Sequence, residues 1–387
     1  MPKDIMEREF SCVRDGLTIR GREFRPQGDQ LPAVIISHGF GGSLKDLVHH
    51  CLMFASWGYA AYGFDFCGGS ANGEGISDGE STDMTLLTEC EDLHAVMNVV
   101  QELPYVDAHR LTLMGFSQGG LVSALAAAQR ADEVESLILI YPAFCIPDDA
   151  RRGALLMSSY DITDVPEFID AGYMMLGKTF HETVVHMNPY TEITPFKGPV
   201  LLIHGTADEP VHPRYALKAK ESYESGQCQL QLIQAAGHGF TEEQTAAVSV
   251  SIRQFLLGHK EILTIHVQIT GSEVRKDFEA EKEIAIFFTG DCDSPYFTGR
   301  IIDGADDVQE YAGDQLVTMR ADYMLEGMDY NGKKCQLHIV NQNVNGEWKP
   351  KVNTDSKALN FLNHSNMTAV LEGYPDGLTV RIFSAIP

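Results

Sequence analysis

Ser117 stands in Gly115-Phe-Ser-Gln-Gly119, with an apolar run before it and an Ala- and Leu-rich stretch after it. Glycine two places either side of a serine permits a corner too tight for other residues, and such a corner thrusts the hydroxyl outward. A serine hydroxyl is a weak nucleophile at neutral pH. It needs an imidazole to take its proton and a carboxylate to hold that imidazole. Two later stretches offer these groups: His204-Gly-Thr-Ala-Asp208 supplies Asp208, and Ala236-Gly-His238-Gly-Phe240 supplies His238. The chemistry of such a set is attack on a carbonyl, with the acyl group carried for a time on the serine. The oxyanion that forms needs N–H donors. The backbone of Gln118, next after the serine, is one; the loop His38-Gly-Phe40-Gly-Gly42 can offer a second, at Phe40.

Other polar residues have plainer uses. His204 lies just before the acid loop and suits a structural role. Asp65 ends an earlier strand and could replace Asp208, although such a residue more often ties down the Gly68-Gly-Ser70 loop behind it. His49 and His50 lie on a predicted helix. The histidines show no metal-ligand spacing, and this chemistry calls for no metal or cofactor.

These residues must be placed by an alternation of strands and helices. Asp15-Gly16 reads as the turn of an opening hairpin. The compact apolar run at 32–37 and the stretches 60–66, 110–115, 134–141, 199–204 and 229–234 read as strands, with helical spacing over 45–57, 84–103, 118–130 and 242–257. The helix over 84–103 takes Leu86, Leu87, Leu93, Val96 and Val100 as its apolar face. Continuously apolar strands alternating with helices mean a parallel sheet covered on both faces. Ser117, Asp208 and His238 then each follow a strand. Residues 145–195 break the rhythm with a helical stretch and many Met and Tyr, and read as a cap over the strand ends. After residue 260 the strands become short and are punctuated by Asp303-Gly, Asn331-Gly and Asp376-Gly. That style predicts a separate antiparallel, barrel-like domain.

Composition bounds the rest. A chain of 387 residues with a mean hydropathy of -0.12 and 44% hydrophobic residues suits a globular protein of two domains. The net charge of -25 divides as -16 over residues 1–260 and -9 over 261–387, so no acidic tail carries it. Nucleic acid and anionic membrane surfaces are therefore poor partners. The opening stretch Met1-Pro-Lys-Asp-Ile lacks the apolar core of a signal peptide. Eight scattered cysteines without a C-x-x-C pair fit reduced thiols. A cytoplasmic location is expected.

Ser37-His-Gly-Phe40, Phe64-Asp-Phe66 with Gly68-Gly-Ser70, Ser77-Asp-Gly79, Asp83-Met-Thr85, Gly115-Phe-Ser-Gln-Gly119, His204-Gly-Thr-Ala-Asp208 and Gly237-His238 together resemble α/β-hydrolases of the bacterial feruloyl (cinnamoyl) esterase type. The resemblance covers residues 1–260. It implies an α/β-hydrolase fold with a cap insertion, Phe40 and Gln118 as oxyanion donors, and a cap that holds a phenolic ring. In that family the cap offers an acid and a tyrosine to the ring hydroxyl. Asp148 or Asp149 matches the acid, whereas Phe180 stands where the tyrosine is expected; Tyr160 or Tyr173 is a substitute. The cap residues Met157, Met174 and Met175 suit an adaptable apolar wall. Residues 261–387 resemble an uncharacterised β-barrel family at Ala321-Asp-Tyr-Met-Leu-Glu-Gly327 and Thr354-Asp-Ser356, which implies a fold and no activity.

The expected function is serine carboxylesterase activity on a small-molecule aryl or hydroxycinnamoyl ester. A serine peptidase of the prolyl-oligopeptidase kind or an acyltransferase would use the same triad. The chain lacks the large N-terminal propeller of many such peptidases, which weighs against the former. A non-catalytic binding protein need not keep all three residues. The β domain is expected to serve assembly, as in a homo-oligomer, or to shape the site entrance; Arg320, Tyr323, Glu326 and Asp355 are its candidates for a second pocket.

Overall fold

The structure is a computed structural model that describes residues 5–71, 75–278, 281–302, 304–313, 315–344, 347–374 and 377–385. The turn residues Asp303 and Asp376 lie outside that set. The chain divides into two compact units, Met1–Thr245 and Ala246–Pro387.

The first unit opens with the strands β1 (Met6–Arg14) and β2 (Leu17–Arg25), joined through Asp15 and Gly16, both at positive φ. Two such residues make the tight turn whose twist suits a hairpin. There follow β3 (Leu31–Ser37), α1 (Leu44–Ser56), β4 (Ala60–Phe64), α2 (Leu86–Gln101), β5 (Val106–Phe116), α3 (Gln118–Gln129) and β6 (Ser136–Ile140). After an excursion come β9 (Val200–Gly205), α7 (Arg214–Ser222) and β10 (Cys228–Ile233). The excursion holds α4 (Ile146–Arg151), the hairpin β7 (Phe168–Asp170) and β8 (Met175–Gly177), α5 (Lys178–Val184) and α6 (Pro189–Glu192). It is the expected cap. Its small hairpin, and α7, were not legible in the spacing.

Among the described residues the main sheet runs β1-β2-β4-β3-β5-β6-β9-β10, antiparallel at its first two pairings and parallel thereafter. Every residue of β4 and of β6 is buried, as strands covered on both faces must be. From β3 the chain steps to β4 on one side, and β5 returns on the other. The order of strands therefore reverses at β3, and the loops after β3 and β5 open side by side at their carboxyl ends. In open α/β sheets that crevice is where ligands bind. One reading of α2 is corrected here: Leu87 is exposed, and the buried stripe runs Leu86, Glu89, Cys90, Leu93, Val96, Met97 and Val100.

The helix α8 (Glu242–Leu256) crosses the boundary at Ala246. The second unit continues with β11 (His259–Phe278), β12 (Glu281–Asp293), β13 (Phe297–Ile301), β14 (Asp306–Ala312), β15 (Gln315–Asp329), β16 (Lys334–Val344), β17 (Glu347–Thr354), β18 (Met367–Tyr374) and β19 (Gly377–Ala385). All pair antiparallel with sequence neighbours, β13 and β14 share the gap between β12 and β15, and β19 returns to β11. The sheet thus closes into the expected barrel, which removes its free edges. Its weakest seam is β17 to β18, where the register is the single pair Trp348–Ala369. Among the described residues no helix is long and apolar enough to cross a membrane.

Candidate active site

Ser117 sits between β5 and α3 with φ +51° and ψ -117°, a backbone conformation that L-residues rarely adopt. The flanking glycines explain how it is held. A Cβ on Gly115 would lie 2.1 Å from the carbonyl oxygen of Gly119, and one on Gly119 would lie 2.2 Å from that of His38. Neither position can carry a side chain without moving backbone. The spacing of glycines around the serine is therefore a packing requirement of this corner.

The structure brings the three sequence-predicted residues together. His238 Nε2 is 2.9 Å from Ser117 Oγ, and His238 Nδ1 is 2.8 Å from Asp208 Oδ2. Asp208 follows β9, and its side chain is fully buried. Burial by itself would raise its pKa. Hydrogen bonds from His204, His238 and the Val211 N–H outweigh that and hold the carboxyl well below the usual carboxylate range. A carboxylate accepts, so His238 donates from Nδ1, and Nε2 is left to accept the serine proton. Tyr141, at the end of β6, lies with its ring centroid 4.8 Å from that of His238 and forms one wall beside it.

His204 has the structural role read from its position. Its Nε2 donates to the Val211 carbonyl at 2.7 Å and stands 3.3 Å from Asp208 Oδ2, which closes the acid loop around the carboxylate. Asp65 is kept away from this work: it accepts from the N–H groups of Leu44 and Ile76, and its carbonyl accepts from Ser77. It ties Ile76 and Ser77 to the start of α1. His50 packs its ring 4.7 Å from Phe116, and burial, ahead of its neighbour His49, lowers its pKa to about 4.

The candidate oxyanion donors flank the serine. Gln118 is the first residue of α3, so its N–H has no acceptor within the helix. Phe40 lies in the loop after β3, which passes so close that a Cβ on Gly39 would be 3.2 Å from that of Ser117. The loop is braced by His38, whose buried ring donates from Nδ1 to the Gly39 carbonyl at 2.8 Å and accepts from the Phe66 N–H at 3.1 Å. That pattern makes the ring neutral, in keeping with a pKa lowered by burial.

A cavity of about 670 Å³ opens over Ser117, with Leu155, Met157, Leu176, Phe180 and Val211 in its wall. Asp149 and Tyr173 line it as well; Asp148 does not, and pairs instead with Arg151 at 2.8 Å. Asp149 faces Arg152, and burial raises its pKa. Tyr160 is corrected: it is absent from the wall, and its hydroxyl meets His181 Nδ1 at 2.8 Å inside the cap. Met174 and Met175 are likewise absent. In the β unit, Arg320, Tyr323, Glu326 and Asp355 do not converge. Tyr323 is buried, whereas Arg320 pairs with Asp322, Glu326 with Arg300, and Asp355 accepts from the Gln336 N–H.

Sequence reasoning missed Glu89. It lies on the buried stripe of α2, and its Oε2 accepts from Gln118 Nε2 at 2.9 Å. The signal was present: an acid three places after Leu86 and four before Leu93 falls on the apolar face.

A sheet of this order, with a serine on the corner after its central strand and an acid and a histidine after later ones, defines an α/β hydrolase. More narrowly, the chain belongs to the prolyl oligopeptidase family, which it matches over residues 46–259. In structure it is similar to the esterase Est1E from Butyrivibrio proteoclasticus, solved with ferulic acid bound; identity is 26%, the TM-score 0.58, and the match covers 64% of this chain and 98% of that one. Among curated proteins it is 30% identical to caffeoylshikimate esterase of Arabidopsis thaliana over 139 residues, 35% of this chain and 40% of that protein. It is 25% identical to the uncharacterized peptidase YtmA of Bacillus subtilis over 179 residues, 44% of this chain and 60% of the relative. The chain therefore spans between 40% and 60% of the length of these curated relatives.

Proposed function

We propose that this hydrolase cleaves carboxylic esters with an aryl or hydroxycinnamoyl acyl group, through an acyl-enzyme on Ser117. The observation that carries the reading is the unbroken chain from Ser117 through His238 to Asp208, at 2.9 and 2.8 Å, beneath an apolar cavity. Ser117 Oγ attacks the ester carbonyl as its proton passes to His238 Nε2. The tetrahedral oxyanion accepts from the N–H groups of Phe40 and Gln118. Collapse expels the alcohol, which takes the proton from Nε2. Water, deprotonated by the same nitrogen, then releases the acid and restores the serine.

The cavity supports the acyl preference. Its volume suits a small organic acid, its wall is largely apolar, and no Lys or Arg lines it among the described residues. Asp149, which lines the cavity, is the acid we assign to a ring hydroxyl, and the similarity to an esterase solved with ferulic acid supports the same reading. The family and the peptidase relative favour a second reading, hydrolysis of aminoacyl amides. A panel of methyl ferulate, simple aryl acetates and aminoacyl anilides separates the two. Turnover of methyl ferulate well above the anilides is expected, with a phosphonate label on Ser117. Preference for the anilides would move the protein to the peptidase class.

A further inference from the structure

Two buried polar groups beneath the serine corner have no part in the bond-breaking steps. Glu89 is almost wholly buried, and the hydrogen bond the structure gives its carboxyl is the one from Gln118 Nε2 at 2.9 Å. Gln118 is equally buried, and its amide also touches Met84 Sδ at 3.8 Å. On the far side of Glu89 lies Gly69. A Cβ there would stand 3.3 Å from Glu89 Oε1 and 3.3 Å from His38 Cε1, so glycine alone separates the carboxyl from the ring that braces the Phe40 loop. Both candidate oxyanion donors are thus backed by one buried cluster, Gln118 through its own side chain and Phe40 through His38.

We propose that Glu89 is a positioning residue for the oxyanion site: by holding the Gln118 side chain it completes the set of anchors that direct the Gln118 N–H at the substrate oxygen. The proposal rests on the serine-hydrolase reading above. The peptide that carries the Gln118 N–H is held at one end by the Ser117 carbonyl, which accepts from the N–H groups of Gly120, Leu121 and Ala143 at 3.0, 3.2 and 2.9 Å, although the conformation of Ser117 itself is strained. The other end of that peptide, Gln118 Cα, is anchored by the buried side chain on Glu89. Oxyanion donors act through accurate aim at a developing charge, and small misplacements are costly. Burial, opposed by the Gln118 bond, pushes Glu89 up to about 8, so near neutral pH it sits largely as the uncharged acid. The charged groups around it are few: Asp92 on the same helix, itself held by Arg14 at 2.7 Å, with the neutral His38 ring across Gly69 and the buried Cys90 thiol beside it.

The test compares Glu89→Leu, which removes the acceptor, with Glu89→Gln, which keeps one, and with Gln118→Leu, which breaks the same bond from the other end and leaves the backbone N–H. The wild type must first turn over an aryl ester and lose that activity in Ser117→Ala; failure there would sink the hydrolase reading and not this one. Expected on folded protein is a kcat lowered on the order of 10-fold in Glu89→Leu, with KM within about twofold and rescue in Glu89→Gln. Affinity for a trifluoromethyl ketone, whose tetrahedral adduct uses the oxyanion donors, should fall in step with kcat. Gln118→Leu should reproduce the loss, and the double variant should add little to it. If Glu89→Leu fails to fold, Gln118→Leu and Glu89→Gln carry the test. Unchanged kcat in Gln118→Leu, or losses of stability with the ratio of ketone affinity to KM unaltered, would overturn the proposal.

Discussion

The two units differ in how their buried polar groups are gathered. In the first, the buried polar side chains around the sheet's carboxyl edge are engaged with one another: Asp208 with His238, His204 and Val211, Gln118 with Glu89, His38 with Gly39 and Phe66, Asp65 with Leu44 and Ile76. In the barrel the ion pairs lie toward solvent, and the buried polar groups pair locally, as Ser356 does with Asp329 at 2.6 Å, or stand alone, as do the Tyr323 hydroxyl and Asn341 Oδ1. A parallel sheet buried on both faces must send its functional groups to the loops at one end, where they meet. A closed antiparallel barrel spreads its polar residues over the outside, where they do not. Convergence of buried polar groups at one place is what marks one unit as the chemical one.

The largest expected effect tests that contrast directly. Ser117→Ala should lower ester turnover by about 10⁴-fold or more with an unchanged melting curve, whereas Arg300→Ala on the barrel should leave turnover intact. Next, Asp208→Asn should cost about 10³- to 10⁴-fold in kcat. Asp65→Asn should act on the fold instead, because an amide replaces a carboxylate that accepts two backbone N–H groups, the one from Leu44 buried; a loss of about 1–3 kcal/mol is expected by chemical denaturation. The reverse ranking in kcat would transfer the acid role to Asp65.

A smaller effect is a pH dependence of stability. A carboxyl raised in the folded state binds its proton more tightly there than in the unfolded chain. Its stabilising contribution is full below about pH 4.5 and is lost as pH rises to about 8. Asp208, held low, has the opposite sign: its contribution is present above the ordinary carboxylate range and fades in strong acid. Thermal melts of wild type and Glu89→Gln between pH 5 and 9 should therefore diverge, with the wild type losing ground as pH rises. Parallel curves would show that Glu89 titrates normally. The smallest effect belongs to the barrel surface: breaking the exposed Arg300–Glu326 pair, 3.0 Å apart, should change stability by no more than about 1 kcal/mol.

Much of the first unit was legible because its signals are local and strong. The runs at 32–37 and 199–204 are apolar up to their last residues, Ser37 and His204, and the glycines around Ser117 mark a corner that excludes any other residue. The cap was readable only as an interruption. Its short helices and three-residue strands are held by tertiary contacts such as Tyr160 with His181, which have no periodicity. Tyr160 was misplaced for that reason. In the barrel, β14 and β17 form against their local composition. Asp306-Asp-Val-Gln-Glu is acidic, and Lys349-Pro-Lys351 carries a proline and two charges. They become strands by pairing with long neighbours already in place, a dependence that propensity cannot express.

The closure of the barrel has a consequence for how this chain could be taken apart or built upon. Its first strand and its last are neighbours in antiparallel register, and His259 lies opposite Ala385. The path of the polypeptide therefore enters and leaves the barrel almost at one point, as a thread enters and leaves a bead. A module of that kind can be spliced into a surface loop of a foreign host at little geometric cost. The same gene segment that follows a hydrolase here is, in its own architecture, portable.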